Sequence, residues 1–129
     1  GNPVAMAAGK AALEQLLEDG FYARMEKKTQ KLVAKVMAHI EENELKVKMF
    51  SVGSVYWIAF TNRPSIRRAE DIDPESMDIY RKFYHSLLGN GFYIGPSGYE
   101  VGFVSAAHTE EEIEEAARII NLSLDVALG

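Results

Sequence analysis

The carboxylate of Glu100 is the residue of this sequence that most suggests a binding site. It lies within the segment 91–109, which otherwise consists mainly of apolar and small residues. A Pro-Ser-Gly turn at 96–98 precedes it, and a stretch that alternates like a strand follows it. An unpaired charge is costly to bury, so a carboxylate in such surroundings usually serves a ligand or a partner. The alternative is a salt-bridged or solvent-facing residue, because these turn residues are common in any loop.

The other polar residues form no complete catalytic or metal-binding set. His108 directly precedes a predicted helix, without a second ligand beside it, so a structural hydrogen bond within the turn is the favoured interpretation. His39 and His85 fall on separate predicted helices. The sequence has no cysteine, no Gly-x-Ser-x-Gly elbow and no glycine-rich phosphate loop. We therefore expect no metal site, no thiolate chemistry and no nucleophilic serine.

Composition indicates one globular domain and limits its partners. The chain has 129 residues, of which 47% are hydrophobic and 26% charged, as in ordinary globular proteins. The net charge of −5 argues against nucleic acid, which requires a basic surface. No apolar run approaches the roughly 18 residues of a membrane helix. No secretory pattern occurs at the front, so we expect a cytoplasmic protein with no membrane partner.

Hydrophobic periodicity predicts an α+β fold that carries these residues. The patterns predict helices over 4–18, 21–42 and 74–88, strands over 46–52, 55–61 and 101–106, and a last helix to about 128. Thr109 and Glu112 form a capping box that begins the last helix. The order ααββαβα predicts a small, mostly antiparallel sheet with helices packed on one face. The aromatic residues are predicted to be core: Tyr56, Trp57, Phe60, Tyr80, Phe83 and Tyr84.

Several segments, in sequence order, resemble the glutamate-1-semialdehyde 2,1-aminomutase family. These aminomutases are pyridoxal-phosphate (PLP) enzymes of the class III aminotransferase group. The opening Gly-Asn-Pro-Val-Ala-Met-Ala-Ala-Gly at 1–9 and the Ser-Ala-Ala-His-Thr at 105–109 are the most specific motifs. The supporting ones are Val-Gly-Ser-Val at 52–55 with Phe60, Tyr-His-Ser-Leu-Leu-Gly-Asn-Gly at 84–91, and Pro-Ser-Gly-Tyr-Glu at 96–100.

The resemblance implies the small C-terminal domain of a fold-type I PLP enzyme. Residues 1–18 would form a helix leading from a large domain that is missing here, and 19–129 would form the small α+β domain. The whole enzyme would be an isomerase that converts glutamate-1-semialdehyde, an amino-acid substrate, to 5-aminolevulinate in porphyrin biosynthesis. A cytoplasmic homodimer is expected.

The resemblance also implies that the catalytic lysine lies outside these residues. The Schiff-base lysine of the family precedes a Gly-rich loop, and no such segment occurs here. The first residue is Gly1, not Met, so we expect a chain that begins inside a larger reading frame or after a removed tag. We expect these residues alone to be inactive and to hold no PLP.

Within the resemblance, Glu100 is the position that carries a substrate-binding role. Related aminotransferases commonly have an arginine in this region, whereas a glutamate attracts a substrate ammonium and repels a carboxylate. Ser97 and Tyr99 are expected to shape the same substrate-binding loop. Gly95 and Gly98 depart from the bulkier residues that are commoner in the family.

Two alternatives stay open. One is another class III aminotransferase, such as an ω-amino-acid enzyme, although an arginine in place of Glu100 would have favoured it. The other is a non-catalytic binding or oligomerisation domain. In that case the helix with small residues at 4–12 would be exposed and adhesive.

Overall fold

Four helices and a three-stranded antiparallel sheet form the computed structural model, which describes residues 1–129. This arrangement confirms the α+β prediction and the predicted order of elements. The elements are α1 (Pro3–Leu16), α2 (Phe21–Glu42), β1 (Lys48–Val52), β2 (Val55–Ala59), α3 (Ser76–Gly89), β3 (Gly102–Phe103) and α4 (Glu110–Leu128), with a single 3₁₀ turn at Ala69–Asp71. None of the helices is both long and apolar enough to cross a lipid bilayer.

The sheet has the order β1-β2-β3, and its third strand is much shorter than predicted. The hairpin pairs Lys48 with Ala59 and Val52 with Val55, whereas β3 pairs only Gly102 and Phe103 with β2. The predicted strand over 101–106 is therefore wrong in length. The backbone N–H of Ser105 donates to Nδ1 of His108 at 3.0 Å, so the chain bends into a turn before the ladder can continue.

The core lies between the sheet and three of the helices. Packing joins α3 to α4, and α2 to both α4 and β1. The predicted inward positions of α4 are all buried: Ile113, Ala117, Ile120 and Leu124. The predicted stripe of α2 is buried only from its middle onward, at Leu32, Val36 and Ile40, and is half-buried at Phe21 and Met25.

The predicted aromatic core is confirmed for four of its six residues. Tyr56, Phe60, Tyr80 and Phe83 are buried, and the rings of Phe60 and Phe83 meet edge to face at 5.5 Å between centroids. Such edge-to-face pairs add to the free energy gained from burial alone. Trp57 and Tyr84 are half-buried at the margin of the core.

The start of α4 is fixed by two sets of hydrogen bonds. The predicted capping box is present: the Thr109 hydroxyl accepts from the Glu112 N–H at 3.1 Å, and the Glu112 carboxylate accepts from the Thr109 N–H at 2.8 Å. From α2, the Lys28 ammonium donates to the carbonyls of Ala106 and His108 at 3.1 and 2.7 Å. The segment that leads into α4 is thereby tied to α2.

Helix α1 buries none of its residues. The Asn2 side chain caps its start by accepting from the Val4 N–H at 3.0 Å, and Gly20, with φ of 77°, lies in the turn that separates it from α2. Apolar side chains point into solvent, including Val4 (77% exposed) and Met6 (71%). The division of the chain into residues 1–18 and 19–129 stays a prediction, but α1 clearly contributes no core.

Adjacent leucines on α3 provide a matched test of the core. Leu87 is fully buried, whereas Leu88 is 41% exposed. We expect Leu87→Ala to lower the free energy of unfolding by about 2–5 kcal/mol, because it leaves a cavity among α3, α4 and the sheet. Leu88→Ala should cost much less. Urea denaturation of both variants measures the difference, and equal losses would contradict this core.

Amide hydrogen exchange tests the isolation of α1. A helix of 14 residues without tertiary packing is marginal in water. We therefore expect the amides of α1 to exchange much faster than those of α4, which has eight buried residues. Equal protection in the two helices would show that α1 is covered in solution, as by a second copy of the chain. Size-exclusion chromatography of the same sample distinguishes that case.

Candidate functional site

The loop that carries Glu100 has no regular secondary structure, and two side chains hold it in place. From α3, the Tyr80 hydroxyl donates to the Gly95 carbonyl at 2.7 Å. From β2, the Trp57 indole N–H donates to the Gly98 carbonyl at 2.8 Å. Since the two donors come from different elements, the loop is fixed at two points on the core.

Ser97 shapes the turn that leads to Glu100. Its carbonyl accepts from the Glu100 N–H at 3.0 Å, and its hydroxyl accepts from the Tyr99 N–H at 3.2 Å. Tyr99 is 52% exposed. Neither Ser97 nor Tyr99 lines the cleft that Glu100 faces. Their predicted roles in binding substrate stay predictions, and the geometry gives Ser97 a role in loop shape.

Two glycines allow the loop to lie close to its neighbours. A Cβ added at Gly95 would stand 2.6 Å from the Glu100 Cβ and 2.5 Å from its Oε2. One added at Gly98 would stand 2.8 Å from the Met77 Cε. Bulkier residues at these positions would therefore displace Glu100 or the loop. The observed conformation of this loop therefore requires glycine at both positions.

Glu100 lines an open cleft of about 700 Å³ between the loop 90–95, the strand region 101–104 and the first half of α4. Apolar side chains supply most of its wall: Leu32, Phe92, Ile94, Val104, Ile113 and Ile119. Two further carboxylates lie in the lining but already have partners. Glu112 caps α4, and Glu115 binds the Arg118 guanidinium through both oxygens at 2.6 and 2.8 Å. Glu100 is the cleft carboxylate without a protein partner, and it is exposed to solvent.

Two buried tyrosines lie next to this carboxylate. Burial raises the pKa of Tyr56 to about 12. The pKa of Tyr80 is also raised, first by burial and then by the negative charge of Glu100. Both phenols therefore keep their protons at neutral pH and act as hydrogen-bond donors. The influence of Glu100 on Tyr80 also shows that the carboxylate lies near the phenol that holds its loop.

His108 has the structural role that its sequence context predicted. Its ring Nδ1 accepts from the backbone N–H of Ser105, and the backbone N–H of His108 donates to the Ser105 carbonyl at 3.2 Å. With Nδ1 as an acceptor, the neutral ring carries its proton on Nε2. No group of three or more histidine, aspartate or glutamate side chains is placed to hold a metal ion.

The residues of this cleft do not fit PLP. A phosphate needs cationic side chains or a free helix N-terminus. No lysine or arginine lines the cleft, and the first turn of α4 carries three glutamates, Glu110, Glu111 and Glu112. Lysines on α2 are engaged elsewhere: Lys28 binds backbone carbonyls, while Lys31 and Lys35 pair with glutamates of α4 at 2.7 and 2.8 Å.

Sequence reasoning missed two contributors to this site, Tyr56 and Gly102. Tyr56 was predicted as core, and it is buried, yet it also lines the cleft. Gly102 pairs directly with Tyr56 across β2 and β3. A glycine opposite an aromatic residue on a neighbouring strand is a signal that could have revealed them, but only once the register was known.

No protein-family model matches the chain. Among solved structures, it is similar to an omega-transaminase from Sphaerobacter thermophilus, with a TM-score of 0.80 and 25% identity over 99% of this chain and 29% of that one. A transaminase with PLP bound matches with a TM-score of 0.76 and 27% identity, over 98% of this chain and 28% of the other. A glutamate-1-semialdehyde aminomutase from Pseudomonas aeruginosa PAO1 in complex with PMP matches with a TM-score of 0.79 and 21% identity, over 100% and 28%.

These similarities cover nearly all of this chain but less than a third of each matched structure. At 21% identity, the likeness to the aminomutase shows the fold alone. The common feature of the three matches is a transaminase-type architecture whose matching part combines helices with a small antiparallel sheet. The chain has the fold of the C-terminal part of class III, PLP-dependent aminotransferases.

Proposed function

We propose that these 129 residues are the C-terminal part of a PLP-dependent aminotransferase-type enzyme, in which Glu100 binds the amino group of the substrate. The observation that carries this proposal is Glu100 itself, a carboxylate free of protein partners at an apolar cleft within a transaminase fold. In this proposal PLP is held by residues outside the chain. The enzyme would be a cytoplasmic homodimer that acts on a small amino compound.

The chemistry of the cleft favours an amine over a carboxylate. Glu100 and Glu112 give the lining a negative charge, and no lysine or arginine lies within it; Glu115 is already neutralised by Arg118. An ammonium group would gain a charge-assisted hydrogen bond to Glu100, whereas a substrate carboxylate would be repelled. The fixed loop lowers the entropic cost of that contact, because the Tyr80 and Trp57 hydrogen bonds already position the backbone before Glu100.

Within this class, we propose the conversion of glutamate-1-semialdehyde to 5-aminolevulinate. The supporting features are the motifs at 1–9 and 105–109 and the glutamate, in place of an arginine, at position 100. Both compounds carry an amino group that Glu100 could bind, and in this proposal their carboxylate is bound outside this cleft, by residues beyond the chain. On this assignment the role of the chain is to bind and orient that amine, and the complete enzyme supplies the amino transfer.

The second candidate is an ω-transaminase. It is favoured by the somewhat higher identity to the Sphaerobacter enzyme, 25% against 21% for the aminomutase. The two candidates differ in the number of substrates. An ω-transaminase requires a separate amino acceptor, whereas the aminomutase converts a single compound. Assays of the complete enzyme with glutamate-1-semialdehyde alone, and with an ω-amine plus pyruvate, distinguish them.

The substitution Glu100→Gln tests the role of the carboxylate in the complete enzyme. It keeps the size of the side chain but removes the charge that attracts the substrate ammonium. We expect kcat/KM to fall by about tenfold to a hundredfold, the range for loss of a hydrogen bond to a charged group. The visible absorbance of bound PLP should stay unchanged, because the cofactor is held elsewhere.

The matched control is Glu111→Gln. Glu111 is exposed on the first turn of α4, does not line the cleft and has no role in the capping box. It should leave kcat/KM close to the wild-type value. An unchanged kcat/KM in Glu100→Gln would remove Glu100 from substrate binding, and loss of the PLP absorbance would show that its role is structural.

A further inference from the structure

Tyr56 combines deep burial with a hydroxyl that has no protein partner. The residue is only 5% exposed, and burial alone accounts for its raised pKa, with no hydrogen bond contributing. Buried polar groups are nearly always hydrogen-bonded, so a phenol without a protein partner must find one in water or in a ligand. The hydroxyl oxygen is not fully enclosed by protein, and Tyr56 lines the cleft. It therefore reaches the open volume of the cleft.

The backbone opposite Tyr56 is shaped around that phenol. Gly102 pairs with Tyr56 across the sheet, and a Cβ added there would stand 2.2 Å from the Tyr56 Cζ and 2.6 Å from its hydroxyl oxygen. Any other residue at position 102 would push the ring aside. The hydroxyl thus has a fixed position in the wall of the cleft, with the Gly102 backbone against it.

We infer that the Tyr56 hydroxyl donates a hydrogen bond to the ligand of this cleft, and that the ligand carries an uncharged oxygen acceptor on an apolar body besides its amine. The inference deepens the proposed function and rests on it for the amine, which Glu100 binds. Tyr56 and Glu100 line the same cleft, so one small molecule can reach both. Tyr56 would be a specificity-determining residue, not a catalytic one.

The neighbouring groups restrict the acceptor to an uncharged oxygen. Glu100 and Glu112 would repel a carboxylate or phosphate bound between them and Tyr56. A carbonyl, hydroxyl or ether oxygen has no such penalty. The apolar wall formed by residues such as Ile94, Val104 and Ile113 would cover the carbon atoms between the two polar ends.

Two isosteric amines test this inference. 3-Methoxypropylamine carries an ammonium and an ether oxygen that can only accept, and pentylamine has a methylene in place of that oxygen. Titration of each into the ¹⁵N-labelled 129-residue chain, followed through the amides of Gly95 and Gly102, gives two dissociation constants. Their ratio in wild type is compared with the ratio in Tyr56→Phe, which removes only the hydroxyl.

We expect Tyr56→Phe to shift that ratio toward pentylamine by about threefold to tenfold, the range for one neutral hydrogen bond. Tyr22→Phe, on the exposed first turn of α2, is the matched control and should leave the ratio unchanged. Because the Tyr56 hydroxyl has no partner in the protein, Tyr56→Phe should also keep the wild-type melting temperature. A purely structural role would instead lower that temperature without changing the ratio.

Glu100→Gln separates failure of the inference from failure of the proposed function. If both amines bind, weaken together in Glu100→Gln, and keep the same ratio in Tyr56→Phe, the role of Tyr56 is overturned and the amine site survives. If neither amine binds the wild-type chain, or binding is indifferent to Glu100→Gln, the amine site fails and the inference fails with it. A changed ratio together with dependence on Glu100 supports both.

Discussion

The fixed position of the loop 95–100 is the constraint on which the candidate site depends. This loop has no backbone ladder of its own, so its geometry comes from two side-chain donors, the Tyr80 hydroxyl and the Trp57 indole, which bind the carbonyls of Gly95 and Gly98. Tyr80 belongs to the packed core, and Trp57 lies at its margin. The packing of these two aromatic side chains therefore also positions the backbone of a polar loop that carries Glu100.

A second constraint is the distribution of charge around the cleft. Three lysines of α2, Lys28, Lys31 and Lys35, tie that helix to the start of α4 or pair with its glutamates, and no lysine of α2 lines the cleft. Glu112 and Glu115 are committed within α4 itself. What remains is one free carboxylate, a buried phenol and an apolar wall. This combination suits an amine with a neutral oxygen, and it leaves the phosphate of PLP to other parts of an enzyme.

The sequence was sufficient for the framework but not for the site. Alternation and helical periodicity predicted the element order, and the Thr109–Glu112 capping box and the buried face of α4 followed from local rules. The strand over 101–106 was overestimated because the competing hydrogen bond from the Ser105 N–H to His108 depends on a turn that periodicity does not reveal. The pairing of Tyr56 with Gly102 was missed because it joins segments that are distant in the sequence. The close approach of Gly95 to the Glu100 side chain was missed because it depends on the conformation of an irregular loop. Motif resemblance singled out Glu100, and only the fold showed the cleft that it faces.

The most direct measurement is a crystal structure of the polypeptide in which these residues occur, with PLP and an amino substrate bound. We expect the Glu100 carboxylate to lie about 2.7–3.2 Å from the substrate amine. We also expect the PLP phosphate to contact residues outside these 129. A Glu100 side chain directed into solvent or paired with another protein group, with the substrate amine bound elsewhere, would contradict the central claim.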